Sequence, residues 1–303
     1  MSAVRILEEF PVFTPLGIRF WDPVQNDQIR AGLHVTAWPA RPSGRPPEVA
    51  VAFRTASDVY AFHALPGLRA LQYGLPDPIT LASPPPTRRF VVHVEDTLGR
   101  FLSAAFAVAL PLPHRGVFPR DALASPPEPG SRGFLLYSAA TRSNASWLAG
   151  VTGELVTPSG TAAGHSLVRV HLPDGGSVSG LANGDGIFAV PFPYPPLPHL
   201  LGDGSPPASP PATRRQAALQ AGEWEIALEV RYEPGRLEPL PGTSLPDYLS
   251  VLSQAPADVL PVRPEDGGLP QPIWVGTLRY GQTVIARTDG MTQLLVAPVS
   301  TSP

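Results

Sequence analysis

Short segments in which apolar and polar residues alternate recur along the chain. The clearest, 89–95, places Phe90, Val92 and Val94 on one face of a strand. Successive side chains of a β-strand point to opposite faces, so this alternation predicts half-buried strands. In the segment 224–232 the residues predicted to share a face are Trp224, Ile226, Leu228, Val230 and Tyr232. Further strands are predicted at 17–21, 32–38, 49–54, 59–63, 101–108, 133–137, 149–156, 167–172, 186–192, 273–280 and 294–296.

Proline limits the alternative of a helical fold, because 41 of the 303 residues are proline. Proline lacks a backbone N–H and breaks helix interiors, and few stretches between prolines could hold three helical turns. One short helix is a candidate at 244–254, where Leu245, Leu249 and Leu252 recur at helical spacing. The pattern therefore predicts an all-β protein of immunoglobulin-like β-sandwiches with little helix.

The length of the chain predicts about two domains. We place an N-terminal extension at 1–16 and a first sandwich at 17–112. A stretch rich in proline and glycine, 113–132, is predicted to be a semi-rigid linker. The second sandwich is predicted at 133–303, with a proline-rich insertion near 193–215 that forms an exposed loop.

Charge and cysteine content exclude several classes of function. A net charge of −3 gives no basic footprint for nucleic acid. The absence of cysteine excludes disulfides and thiolate metal sites and fits a reducing compartment. The first 17 residues lack the pattern of a signal peptide, and the apolar run 101–112 is too short to cross a bilayer. We therefore expect a soluble protein made in the cytoplasm, without membrane insertion.

The charged fraction of 16% is low and leaves two interpretations open. An average globular chain has roughly 25% charged residues. A surface with so few charges is easily buried against neighbouring subunits, but a proline-rich surface alone gives the same composition.

Motifs for catalysis and for cofactors are weak throughout. His93 and Glu95 share one strand face, a spacing that suits a metal or an acid–base pair but is far more typical of a solvent-facing polar pair. The segment 183–186, Asn-Gly-Asp-Gly, resembles half a calcium loop, yet it is also a strong signal for a hairpin turn, which we favour. Because no Gly-x-Ser-x-Gly motif or phosphate-binding loop occurs, we expect neither an enzyme nor a cofactor.

A weak internal repeat connects the two halves of the chain. The segments 55–67 and 182–194 each contain a polar turn, an aromatic-bearing strand and then a proline. This layout resembles the carboxypeptidase-regulatory-like (prealbumin-like) domains, whose strands end in Leu-Pro-x-Gly. The segment 59–67 matches that pattern except for Val59, where glycine is usual, whereas 182–194 keeps Gly186 but lacks the Leu-Pro-Gly ending. The resemblance implies two immunoglobulin-like or prealbumin-like sandwiches, joined by the Pro-rich linker and without catalytic residues.

A second resemblance concerns the longer segments 53–69 and 88–102. They are similar to uncharacterised proteins encoded beside the sheath, tube and baseplate genes of phage-tail-like contractile injection systems. This similarity implies a non-enzymatic adaptor at the cap or baseplate of such a particle. Its expected partners are sheath, tube, cap or baseplate proteins.

An adaptor of this kind would contact its neighbours through loops and sheet edges. The segments expected to make contacts are the N-terminal residues 7–16 and the loop 193–211. The alternative function is a carbohydrate- or surface-binding module, with exposed aromatics such as Trp38 and Tyr73 as platforms. The candidate interface residues are Phe10, Phe13, Trp38, Tyr73, Tyr194 and Leu197.

Overall fold

The fold was analysed in a computed structural model of the chain. Among the residues that the structure describes, strands account for 48% and helices for 5%, so the described part of the protein is all-β, as the sequence predicts. The predicted linker at 113–132 lies outside the described part of the chain. The structure describes residues 14–40, 48–63, 65–68, 87–110, 133–143, 145–196 and 222–298.

Contacts divide the chain into two compact units. Unit 1 consists of 1–98, 103–136 and 238–249, and unit 2 consists of the remaining residues. Unit 1 therefore includes a segment that follows most of unit 2 in the sequence.

The described residues of unit 1 form three small sheets. The four-stranded antiparallel sheet has the order β5-β4-β8-β9, and the three-stranded sheets have the orders β1-β7-β6 and β10-β2-β3, with β10 parallel to β2. The strands are β1 Gly17–Ile18, β2 Phe20–Asp22, β3 Asp27–Gln28, β4 Leu33–Pro39, β5 Ala50–Val51, β6 Phe53–Arg54, β7 Tyr60–Ala61, β8 Arg88–Asp96, β9 Ala104–Leu110 and β10 Phe134–Leu135.

Aromatic side chains from separate parts of the sequence meet in the interior of unit 1. The ring of Phe134 lies 4.4 Å from Phe106 and 4.4 Å from Tyr248, measured between centroids. Phe20 contacts Phe134 edge-on at 5.9 Å. The Tyr248 hydroxyl donates a hydrogen bond of 2.9 Å to the carbonyl oxygen of Leu135. The segment 238–249 is thus part of the packed interior of this unit.

The described strands of unit 2 form one nine-stranded sheet. Its order is β13-β12-β15-β16-β19-β11-β14, with β17 paired to β15 and β18 paired to β11. The strands are β11 Leu148–Val156, β12 Leu167–His171, β13 Ser177–Leu181, β14 Ile187–Pro193, β15 Glu223–Arg231, β16 Pro256–Leu260, β17 Trp274–Arg279, β18 Thr283–Ala286 and β19 Leu294–Pro298.

The five apolar residues predicted to share a face in 224–232 are all buried, which confirms that prediction. They belong to one core cluster that also contains Phe188 and Phe192 from β14, Val151 and Leu155 from β11, and Leu278 from β17. The alternation of β15 therefore reflects one buried face, with Glu223 and Glu225 exposed on the other.

Helical structure within 244–254 is shorter than the predicted segment. A single α-helix in the described residues, α1, spans Tyr248–Leu252. Asp247 precedes it, and its side chain accepts a hydrogen bond from the Leu249 N–H at 3.4 Å, as an N-cap residue does. Residues 244–247, which precede α1, are not helical. The leucine spacing therefore predicted a helix correctly for only part of the segment 244–254.

The segment 183–186 forms the turn between β13 and β14, as favoured over a calcium loop. The Asn183 side-chain oxygen accepts hydrogen bonds from the backbone N–H groups of Asp185, at 3.0 Å, and Ile187, at 2.9 Å. Gly186 has φ +82°, and a Cβ atom at this position would collide with the carbonyl oxygen of Leu155. Glycine is therefore required here by both conformation and space.

Candidate interface

One face of the β5-β4-β8-β9 sheet brings several candidate residues together. Antiparallel pairing of β4 with β8 sets Trp38 opposite Val91, Thr36 opposite His93 and His34 opposite Glu95. Opposed residues in a sheet present their side chains on the same face. This face, which we call the Trp38 face, is apolar at the Trp38 end and polar at the His34 end.

Trp38 was predicted to be an exposed contact residue, but its side chain is only 7% exposed. It packs in a cluster with Val91, Ala105 and Leu240. Its indole N–H donates a hydrogen bond of 2.8 Å to the carbonyl oxygen of Pro241. The indole is thus covered by a distant segment of the same chain, a contact that the local alternation around Trp38 could not indicate.

Residues 238–247, which we call the strap, form the segment that covers Trp38. Pro239 and Pro246 pair in an antiparallel bridge, and the Asp247 N–H donates to the Glu238 carbonyl oxygen at 2.8 Å. Gly242 has φ +85°, and a Cβ atom there would lie 2.9 Å from the indole nitrogen of Trp38. The strap is therefore a closed hairpin-like loop whose tip fits directly against the tryptophan.

Asp247 fixes the other end of the strap. Its carboxylate is buried and accepts a hydrogen bond of 3.4 Å from the Ala107 N–H in β9. The Arg89 guanidinium lies 4.0 Å from it, with 60% of the arginine side chain exposed. Burial raises the pKa of Asp247 above its ordinary value, although the backbone hydrogen bonds and Arg89 act in the opposite direction. This carboxyl group was not singled out from the sequence, where only its position before a helical pattern was informative.

A groove of about 890 Å³ lies between the strap and the ends of β4, β8 and β9. Small side chains of β9 leave this space open, and prolines form much of its walls. Arg88, Arg89 and Glu238 contribute the charged residues of the lining. The other lining residues include Pro39, Ala40, Ala107, Pro239, Leu240 and Pro241.

The polar end of the Trp38 face carries His34, His93 and Glu95. His93 is half-buried and lies with Glu95 on the face opposite Phe90 and Val92, as predicted. Burial lowers the pKa of His93, Glu95 raises it and His34 lowers it further. Among the residues that the structure describes, no group of three His, Asp or Glu side chains is arranged to hold a metal ion.

An exposed apolar stripe borders the Trp38 face at the sheet edge. Val49 is 50% exposed, Val51 57% and Phe53 38%, and Val51 pairs with Thr36 across β4 and β5. The Phe53 ring stacks on His63 at 4.2 Å. The sequence predicted a strand at 49–54 but did not predict that these three side chains are exposed. The available signal for the strand was the alternation of valine and phenylalanine with alanine.

Tyr194 packs within unit 2. Its hydroxyl accepts a hydrogen bond of 2.8 Å from the Gly281 N–H, and its ring lies 4.8 Å from Tyr280 and 5.7 Å from Trp224. Tyr194 is half-buried, so part of the ring remains accessible. Four other predicted contact residues lie outside the described part of the chain: Phe10, Phe13, Tyr73 and Leu197.

A polar cluster occupies neighbouring strands of unit 2. Glu229 accepts a hydrogen bond from the Arg231 Nε–H at 3.0 Å and lies 3.3 Å from His171 Nε2. Desolvation acts to raise the pKa of Glu229, but the hydrogen bonds from Arg231 and His171 outweigh it, and the pKa falls below its ordinary value. The carboxylate is therefore held ionised as one member of a surface ion pair.

Comparisons with known proteins leave the chain without a family assignment. No family model, curated protein or solved structure matches it. Within the described residues, the structure has no helix whose length and apolar character would let it cross a membrane.

Proposed function

We propose that this protein is a non-enzymatic structural adaptor of a phage-tail-like contractile injection particle, located at its cap or baseplate. The similarity of the segments 53–69 and 88–102 to proteins encoded in such gene clusters supports this proposal. Its neighbours in the particle are sheath, tube, cap or baseplate proteins. The adaptor is made in the cytoplasm and then incorporated into the particle.

We also propose that the fold consists of two prealbumin-like β-sandwiches. Support comes from the all-β content and, in unit 2, from the large core cluster to which strands from across the sheet contribute. Such sandwiches act as rigid spacers that present loops and edges to neighbouring subunits.

The observation that carries the adaptor function is the exposed apolar stripe of Val49, Val51 and Phe53. Three apolar side chains at alternate positions of one segment are exposed, and Val51 lies in β5 at the edge of its sheet. Apolar patches at such a position are typical of protein contact sites. Val51 has the largest exposed fraction of the three, at 57%, and is the residue to test.

The alternative of a carbohydrate-binding module is less well supported by the geometry. It requires exposed aromatic platforms, and Trp38 is covered by the strap. Trp147, at 54% exposure, is the tryptophan in the described residues that best fits a platform, so a glycan screen would use Trp147→Ala as its control.

The test is affinity purification of the tagged full-length chain from its native host, with mass spectrometry and negative-stain imaging. We expect sheath and tube proteins on rod-shaped particles to co-purify with the wild type. Val51→Glu should reduce their recovery at least about tenfold, because an interface core tolerates an unpaired charge poorly.

Ile285→Glu is the matched control, since Ile285 in unit 2 is 58% exposed and receives the same change. It should recover the particles as the wild type does. Recovery of a lone monomer with the wild-type chain would overturn the adaptor function. Equal recovery with wild type and Val51→Glu would overturn the assignment of the stripe as the contact surface.

A further inference from the structure

We propose that the strap, residues 238–247, is a releasable cover of the Trp38 face, and that the protonation state of Asp247 sets how firmly it is held. The proposal concerns the chain itself and stands whether or not the protein belongs to an injection particle. The strap would make the exposure of Trp38 depend on pH, whereas a fixed cover would keep this tryptophan permanently buried.

The strap is held to the sheet at two separated points. At its tip, the contacts are the Trp38–Pro241 hydrogen bond of 2.8 Å and the burial of Leu240 against Val91. These contacts contain no titratable group. At its base, Asp247 accepts from the Ala107 N–H and forms a parallel bridge with Ala105 at the edge of β9. His93, whose ring lies 6.2 Å from that of Trp38, is the titratable neighbour of the tip, whereas Asp247 is the buried titratable group of the strap itself that contacts the sheet.

The surroundings of Asp247 make its ionised form costly. Two backbone N–H groups, of Ala107 and Leu249, point at one carboxylate oxygen at 3.4 Å each. Arg89 from β8 faces the other oxygen at 4.0 Å but is largely solvated, and Glu238 in the strap adds a like charge. Burial dominates this balance and raises the pKa of Asp247.

The sign of the pH effect follows from this shift. A carboxyl group whose pKa is higher in the closed strap than in the released strap binds protons more tightly when closed. Protonation therefore favours closure. The added hold is fully present below the ordinary aspartate pKa and is lost as the pH rises through the raised pKa of the closed form. The strap is consequently held more weakly near neutral pH than in mild acid.

Release of the strap would uncover Trp38, Val91 and Ala105 together with the adjoining groove. These residues form a continuous apolar surface next to the exposed stripe of Val49 and Val51. Closure hides this surface from solvent, since Trp38, Val91 and Ala105 are all buried under the strap.

The experiment is amide hydrogen exchange of full-length protein between pH 4 and pH 8, corrected for intrinsic exchange rates. The amide of Ala107 is the reporter, because its hydrogen-bond acceptor is Asp247 itself. In the wild type, its protection factor should fall as the pH rises. In Asp247→Asn, which keeps an acceptor oxygen without the charge, protection should be independent of pH. At pH 7 it should exceed that of the wild type by about tenfold for each unit of pKa shift.

Two further variants make the outcome decisive. Arg89→Gln removes an exposed cation beside Asp247, so the pH at which protection is lost should move upward. Asp258→Asn, a half-buried carboxylate in β16 of unit 2, should leave the wild-type profile unchanged. A wild-type profile without pH dependence, or the same pH dependence in Asp247→Asn, would overturn the proposal. If Asp247→Asn does not fold, an unshifted profile in Arg89→Gln overturns it instead.

Discussion

The two units of the protein reach a buried core by different routes. In the described part of unit 2, most strands contribute to one nine-stranded sheet and to one large cluster of buried side chains, beside a smaller cluster of Val156, Leu260 and Leu295. In unit 1, ten strands, several of only two residues, are distributed over three sheets. The interior of unit 1 is completed by Leu240 and Tyr248 from a segment more than one hundred positions further along the chain.

This difference shows where local pattern is sufficient and where it is not. A long alternating strand such as β15 specifies which of its faces is buried, because a shift of one residue would expose every apolar side chain. Two-residue strands such as β5 and β7 specify little by themselves. Their faces are set by the segments that pack on them. Even in the longer β4, the burial of Trp38 depends on the strap, whose Pro241 accepts its indole hydrogen bond.

The sharpest test of the large core cluster in unit 2 is Phe188→Ala. Phe188 is 1% exposed in β14 and belongs to the cluster shared by β11, β12 and β15. Removing a buried phenylalanine side chain costs about 3–5 kcal/mol, so we expect a loss of that size in the free energy of opening. Hydrogen exchange should show the loss in all three of these strands.

Ile285→Ala is the control for Phe188→Ala, because this side chain in β18 is 58% exposed and its removal should change stability by less than about 0.5 kcal/mol. A loss confined to β14 in Phe188→Ala would show that the cluster is not one cooperative core.

The β13–β14 turn in unit 2 can be tested with two glycines of nearly equal conformation. Gly186 has φ +82° and Gly175 has φ +83°, but only an added Cβ at Gly186 would collide with the Leu155 carbonyl. Both alanine variants pay about 1–2 kcal/mol for the left-handed conformation. Gly186→Ala should destabilise unit 2 by a further 1 kcal/mol or more, on the order of an overpacked core site. Equal losses in thermal or denaturant unfolding would contradict the close approach.

In unit 1, Trp38→Phe tests the dependence on the distant segment. The substitution keeps an aromatic ring but removes the N–H that bonds to Pro241. Loss of one such hydrogen bond costs about 0.5–1.5 kcal/mol, so protection of the Asp247 amide in the strap should fall by roughly threefold to tenfold. Trp147→Phe, at a tryptophan that is 54% exposed, should leave that protection unchanged. Unchanged protection in Trp38→Phe would mean that the hydrogen bond between Trp38 and Pro241 does not help to hold the strap on the sheet.

Much of the fold was accessible from the sequence because period-2 alternation reports burial directly. Strand β8, predicted at 89–95, spans Arg88–Asp96, and the buried face of β15 was predicted residue by residue. Four strands were missed: β3 has only two polar residues, β13 and β16 have proline or small residues where apolar side chains would signal a strand, and β18 has only four residues.

The candidate site was less accessible, because its key residues are brought together over long distances in the chain. Trp38 and Pro241 are 203 positions apart, and Ala107 and Asp247 are 140 apart. No local pattern connects such pairs. The exposure of Val49 and Val51 was equally hidden, since alternating valine and alanine predicts a strand without indicating whether either face is covered.

The sequence by itself therefore determined that this chain is all-β, that helix is scarce, and that the segment 183–186 is a turn. Each of these follows from a local property: side-chain alternation, the missing N–H of proline, and the conformational freedom of glycine. Only the tertiary structure decided that Trp38 is covered, that Asp247 is a buried carboxyl group, and that Val51 is exposed. Burial depends on which distant segment packs on a face, and that choice is made by the free energy of the whole fold.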